Sequence, residues 1–335
     1  AKIFEGCPEN PSFTDCDHFA EAFRAAQVDC IIALGGGSVM DAAKAIALLL
    51  ANGGCCRDYA GQSVAHTPLP VIAIPTTAGT GSEVTPYAVL VDDAKNKKST
   101  LKAPGLFPRL ALLDPALTTT MPHDVTVATA LDALSQGMEG MLSRKSTPLG
   151  DTLALDVCRR VYRDLPRVLE NPSDLDARCS LLYASMLSGV IIAQSGTTLV
   201  HGMGYPYTLD HGIAHGAANA LLLPPVFWWN AWHAPEKVAA LAATLGLESD
   251  GTRHAVAVAI SEALYSFYRK IHFSPSAKDH GVPEGALKAM ASGIASDTYR
   301  FKNQVGTLSE TEVYRLYQAS WVGSIGGLKA LSSAE

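Results

Sequence analysis

Apolar residues along this chain follow two successive patterns, and the change between them divides it. Phe19, Ala20, Phe23 and Ala26 recur at helical spacing and predict a helix over Asp17 to Gln27. The run Cys30-Ile31-Ile32-Ala33-Leu34 is too short for a helix and stops at three glycines, so it predicts a buried strand. Gly35-Gly36-Gly37-Ser38 then leads into an apolar helix from Val39 to Leu50, with Asp41 and Lys44 near its start. The arrangement repeats. Val71 to Ile74 reads as a second buried strand, followed by Pro75-Thr76-Thr77-Ala78-Gly79-Thr80-Gly81-Ser82-Glu83. Lys95, Lys97 and Lys98 read as a solvated, hairpin-like turn, and a third strand, Leu110 to Leu113, ends at Asp114-Pro115. Two strands that each end in glycines and hydroxyls put those turns at the carboxyl edge of a parallel sheet, where open α/β sheets bind nucleotides. Backbone N–H groups at a glycine turn and a helix start suit a phosphate.

From about Thr118 strand signals cease, which predicts an α/β domain over residues 1–117 and a helical domain over 118–335. Ala130, Leu131, Leu134, Met138 and Met141 form one apolar stripe, and Asp132 sits inside it. An inward carboxylate is costly unless it is paired or meets a cation. Gln136, four residues on, shares its face. A second polar concentration lies between His201 and Asn219, where His201, His211 and His215 occupy a glycine-punctuated loop. Imidazoles in such apolar surroundings need hydrogen-bond partners or a metal. The uncharged run before them, Cys179 to Leu209, is long enough to raise a membrane span, but Ser180, Ser185, Ser188, Gln194 and Ser195 interrupt it and predict a buried core helix.

Composition narrows the classes. With 335 residues, 48% hydrophobic and 17% charged, the chain can bury a large core across two domains. A net charge of -6 offers no basic surface, so a small metabolite is the expected partner and nucleic acid is not. Trp228, Trp229 and Trp232 then read as packing or pocket lining, not as a platform for bases. Seven cysteines without a CxxC pair point to a reducing, cytoplasmic setting. The extent of apolar helix predicts a homo-oligomer.

In order along nearly the whole chain, Gly35-Gly36-Gly37-Ser38 with Asp41 and Lys44, Pro75 to Glu83, Asp132-Ala-Leu-Ser, His201-Gly-Met and His215-Gly-Ala-Ala-Asn219 resemble the iron-containing alcohol dehydrogenase family. The resemblance implies an N-terminal parallel-sheet α/β domain binding NAD or NADP, and an all-α C-terminal domain holding a divalent metal, Fe2+ or Zn2+, in a dehydroquinate-synthase-like architecture. It further implies hydride transfer between nicotinamide and a small alcohol or aldehyde. By this resemblance Gly36, Gly37 and Ser38 take the pyrophosphate, with Asp41 beside them. Thr76, Thr77, Thr80, Ser82 and Lys98 line the rest of the cofactor site. Asp132, His201 and His215 bind the metal, with Gln136 as a further ligand through its amide oxygen, a weaker donor than imidazole. The family places histidines where this chain has Gln136 and Tyr205. Tyr205 and His211 are therefore the candidate proton carriers on the substrate side. These departures leave competing readings open: a metal-independent reductase, a dehydroquinate-synthase-type lyase, or a non-catalytic nucleotide-binding relative. Family members also begin with further strands upstream of Ala1, where the contact to the adenosine ribose is expected.

Overall fold

The structure, a computed structural model, describes residues 2–247 and 252–332. Its first part runs α1 (Phe13–Ala26), β1 (Ile31–Gly35), α2 (Gly37–Asn52), α3 (Cys56–Tyr59), β2 (Val71–Pro75), β3 (Tyr87–Asp92), β4 (Lys97–Lys102) and β5 (Leu110–Ala111). From His123 the described elements are helical: α4 (His123–Leu142), α5 (Pro148–Glu170), α6 (Leu175–Ser195), α7 (Leu199–His211), α8 (His215–Ala231), α9 (Pro235–Thr244), α10 (Arg253–Lys270), α11 (Leu287–Ser296), α12 (Glu310–Val322) and α13 (Ile325–Ser332), with short 3-10 turns between some of them.

The three sequence-predicted strands form one parallel sheet in the order β1-β2-β5, in register Ile31 to Val71 and Ile72 to Leu110. The apolar helix α2 covers one face, burying Met40, Ile46, Leu48 and Leu49. On the opposite face Ile32, Leu34, Leu110 and Leu112 stay exposed, although parallel sheets are normally covered on both sides.

Two expectations differ from the structure. Lys95 to Lys98 do not form only a solvated turn; they belong to an antiparallel hairpin in which Tyr87 pairs with Lys102 and Asp92 with Lys97. Ala88, Leu90 and Leu101 point into the core beneath α2, and Lys98 turns inward from β4. Alternation was hidden in Tyr87-Ala-Val-Leu-Val91 because the outward positions are apolar as well. The uncharged run from Cys179 to Leu209 is also not one core helix but two, α6 and α7, broken at Gly196-Thr197-Thr198. Gly196 takes φ 66°, which glycine adopts without the cost a side chain would bring. By length and composition α6 could cross a membrane, yet most of its apolar window is buried inside the protein.

Helix α4 is the hub of the helical part, packed against α5, α6 and α8. It is buried almost without interruption from Thr126 to Leu142, as a helix that is apolar on most sides must be. The buried polar residues of this stretch, Asp132, Ser135, Gln136 and Glu139 among them, must therefore find their partners within the protein or in what it binds.

Candidate metal centre

Three helices deliver one side chain each to a common point: Asp132 from α4, His201 from the start of α7 and His215 from the first residue of α8. The histidines thus sit on two helix starts and not in a loop, with only Gly212 to Ala214 non-helical between them. The nearby glycines serve contact, since a Cβ on Gly216 would stand 2.7 Å from the Ala128 carbonyl carbon and 2.9 Å from Asp132 Cβ.

The three candidate donor atoms lie within 4.8 Å of one another. His201 Nε2 is 3.5 Å and His215 Nε2 4.0 Å from the same oxygen, Asp132 Oδ1. Their rings meet edge to face, with centroids 5.3 Å apart. His201 Nε2 and His215 Nδ1 are buried without a hydrogen bond. Such an orphan costs about 1–3 kcal/mol; the His201 one faces Asp132, where a cation is a partner that suits a carboxylate and imidazoles alike, while His215 turns its other nitrogen, Nε2, toward Asp132 and to 3.3 Å from Asn219 Nδ2. One carboxylate with two imidazoles is the donor chemistry of Fe2+ and Zn2+ sites with open positions.

Around the cluster every orienting bond comes from a buried group. Asp132 Oδ1 accepts from Asn219 Nδ2 at 2.9 Å, and Oδ2 from Gln136 Nε2 at 3.2 Å. Gln136 Nε2 also reaches the Thr80 carbonyl at 3.4 Å, while its amide oxygen accepts from Ser188 Oγ at 2.7 Å. In this orientation Gln136 shows the cluster a donor, and an NH2 group is not a metal ligand; the expectation of a ligating amide oxygen does not match this placement. Glu139 did not emerge from the sequence, though it follows Asp132 by seven residues on the same face of α4. It hydrogen-bonds His201 Nδ1 with one carboxylate oxygen. The other accepts from Thr198 N at 2.9 Å and Thr198 Oγ1 at 2.8 Å.

Charges follow from these contacts. Burial works to lower the His201 pKa, but Glu139 and Asp132 outweigh it and hold the ring at about 10. Burial takes His215 down to about 4, with the nearby Asp132 opposing that drop and the charges of His201 and Lys98 adding to it. For Asp132 burial acts upward, yet His201, His215 and Asn219 leave the carboxyl below its ordinary value.

On the nucleotide side, Gly36 caps α2 and Gly37 and Ser38 form its first turn, leaving that turn's N–H groups without helical partners. The second turn packs directly on it. A Cβ on Gly36 would sit 3.2 Å from Thr77 Cγ2, and one on Gly37 2.7 Å from Thr80 Cγ2, so glycine is what lets the turns touch. Thr76 N–H donates to the Gly35 carbonyl at 3.0 Å and fastens the two together. Lys98 Nζ donates to Asn10 Oδ1 at 2.6 Å, and Asn10 N–H donates to Ser38 Oγ at 3.2 Å. Burial brings Lys98 down to about 8. Asp41 and Ser82 face inward instead: Ser82 Oγ donates to Asp41 Oδ1 at 2.5 Å and accepts from Lys44 Nζ at 2.7 Å, and Asp41 Oδ2 accepts from Val89 N at 2.9 Å. Asp41 ties α2 to the hairpin, and Ser82 ties it to the second turn.

Tyr205 lies flat against His215, with ring centroids 5.7 Å apart and planes 13° from parallel. His211 is not brought to the cluster. It stands in the last turn of α7, ten residues and therefore roughly 15 Å along the axis from His201. There it borders a groove of about 780 Å³ with Pro206, Asp210, Met290 and Lys97.

Comparison with known proteins places these features in a family. Residues 1–115 match the iron-containing alcohol dehydrogenases, and residues 126–321 match the C-terminal region of the same family. The NAD-dependent methanol dehydrogenase of Bacillus methanolicus is 32% identical over 311 residues, covering 92% of this chain and 82% of its own. The crystal structure of a 1,3-propanediol oxidoreductase superposes with a TM-score of 0.91 at 30% identity, over 95% of this chain and 84% of that one. An iron-containing alcohol dehydrogenase from Thermotoga maritima gives 0.82 at 37% identity, over 96% and 83%.

Proposed function

The chain belongs to the iron-containing alcohol dehydrogenase family, and from that premise we propose that Asp132, His201 and His215 hold the metal of an NAD-linked enzyme acting on small alcohols and aldehydes. It is an NAD-dependent oxidoreductase of the alcohol and aldehyde class. The observation that carries the site assignment is the convergence of Asp132, His201 and His215, with the buried, unpartnered His201 Nε2 3.5 Å from the Asp132 carboxylate.

When bound, the cation polarises the substrate oxygen and the nicotinamide carries the hydride. The chain's own residues supply place and orientation. We assign the pyrophosphate to the N–H groups of Gly36, Gly37 and Ser38, at the positive end of α2. Thr76, Thr77 and Thr80 continue that surface, and Lys98 brings a cation close to it. Asp41 and Ser82 act behind it, Asp41 bracing α2 against the hairpin and Ser82 holding the second turn to α2. Tyr205 forms a wall beside His215, where an aromatic face limits the room around the reacting carbon. His211 takes no part at the reacting centre. Gln136 orients Asp132 through its NH2 group.

The division into a dinucleotide part up to residue 117 and a metal part from residue 118 follows from this assignment. All seven cysteines are free thiols, which fits a reducing cytoplasm. The large exposed apolar residues Leu149, Leu175 and Tyr183 fit a homo-oligomer, to be measured by light scattering on the eluting protein. Asp132→Ala tests the reading. The variant is expected to lose bound metal and NAD-linked oxidation of methanol and 1,3-propanediol together; metal content equal to that of the unaltered protein refutes the ligand set.

A further inference from the structure

Below Asp132, the inner face of α4 carries a second carboxylate that the ligand set does not use. Glu139 is 1% exposed, and its oxygens are committed on both sides. Oε1 accepts from Thr198 N and Thr198 Oγ1, and from His201 N at 3.4 Å, so it caps the N-terminus of α7. Oε2 faces His201 Nδ1. His201 Nε2, on the other side of the ring, is the buried nitrogen without a hydrogen bond, 3.5 Å from Asp132 Oδ1.

We propose that Glu139 is a positioning residue that holds the His201 Nδ1–H in place, so that the proton a cation displaces is the one on Nε2, the nitrogen facing Asp132 and His215. A carboxylate can only accept, so it selects the tautomer with Nδ1–H. The same group fixes the ring's rotation, because its other oxygen is anchored to the backbone from which the ring extends. One buried side chain thus sets both where the helix begins and which nitrogen it presents. The proposal rests on the metal reading given above.

Glu139→Gln separates the two roles. The glutamine can keep an oxygen toward Thr198 and the helix start, but it then turns an NH2 toward His201 Nδ1. Nδ1 must accept, and the ring proton moves to Nε2, where it opposes a cation. Thr198→Val is the control for capping alone, since it removes the hydroxyl bond to Glu139 and leaves Oε2 on the ring. Each full-length protein is stripped of metal and titrated with Co2+ against a chelator, with the visible absorption of the bound ion recorded, and its metal-free melting temperature is measured. Glu139→Gln is expected to bind Co2+ about 10- to 100-fold more weakly, the usual range for groups that orient metal-bound histidines, with an altered absorption band and a melting temperature close to that of Thr198→Val. Thr198→Val is expected to keep its affinity within about threefold. Unchanged Co2+ affinity in Glu139→Gln, while Asp132→Ala loses binding, overturns this proposal and leaves the ligand set standing. Unchanged affinity in Asp132→Ala overturns the ligand set itself. A parallel loss of affinity in Glu139→Gln and Thr198→Val reduces Glu139 to a helix cap and also overturns the proposal.

Discussion

Gly216→Ala adds one methyl group and touches no candidate ligand's donor atom, yet it is expected to weaken metal binding at the proposed site. The new Cβ would lie 2.7 Å from the Ala128 carbonyl carbon and 2.9 Å from Asp132 Cβ. The Ala128 carbonyl oxygen would lie nearer still; an ordinary carbon–carbon contact is about 3.5 Å, so the gap at the carbonyl must widen by at least roughly 0.8 Å. Neither neighbour can swing away. Ala128 contributes main chain inside α4, and Asp132 Cβ is fixed by that same helix. The relief must come from α8 moving off α4, and α8 begins with His215. Donor distances in a metal site tolerate about 0.2 Å, at most a quarter of the required shift. Overpacking of this kind costs about 1–3 kcal/mol, a drop in melting temperature of several degrees that leaves the protein folded at 25 °C. Metal affinity is expected to fall at least tenfold, which corresponds to about 1.4 kcal/mol. The assay is competitive Co2+ titration of metal-free protein, with circular dichroism to verify the fold. Wild-type affinity in a folded Gly216→Ala variant would show that His215 does not need its present distance from Asp132, and the reasoning would fail.

Gln136→His is expected to tighten metal binding, because it replaces an NH2 donor by an imidazole nitrogen next to Asp132; metal retention during dialysis against chelator measures it. Burial lifts the Glu83 carboxyl to about 7, above its unfolded value, so its contribution is intact below about pH 4.5 and declines as the pH rises through 7. The difference amounts to roughly 3 kcal/mol, and Glu83→Gln should flatten urea stability between pH 5 and 8; an unaltered pH slope would contradict the assignment. Lys98, held at about 8, loses its charge above that pH, and NADH affinity measured by fluorescence should weaken there. Lys98→Arg should remove this dependence because the guanidinium stays charged.

Much of the nucleotide side was legible because backbone chemistry leaves a local trace. A short apolar run that stops at Gly35-Gly36-Gly37 announces strand, turn and helix start within a dozen residues, and it does so again at Val71 to Gly81. The hairpin at Tyr87 to Lys102 was lost because Val89 and Val91 face outward yet are as apolar as Ala88 and Leu90. Asp132 was readable as a charge at a core position. Glu139 carries the same signal, but its partners Thr198 and His201 lie about sixty residues away and only folding brings them together. The amide orientation of Gln136 likewise depends on Ser188 from another helix. Sequence spacing places a side chain on a face; it does not say which end of an amide will meet its neighbour.

The Gln136 amide has one further effect, through the second hydrogen bond of its NH2 group. One nitrogen is shared between Asp132 at the proposed ion site and the Thr80 carbonyl in the turn proposed to hold the dinucleotide. Anything that draws Thr80 toward a nucleotide pulls on the same amide that steadies Asp132. Thermodynamic linkage then requires reciprocity: by whatever factor NAD changes the affinity for the ion, the ion changes the affinity for NAD. On the proposed assignment the two ligands are expected to load as a coupled pair, and removing the ion should register as a changed grip on the dinucleotide before any alcohol is present.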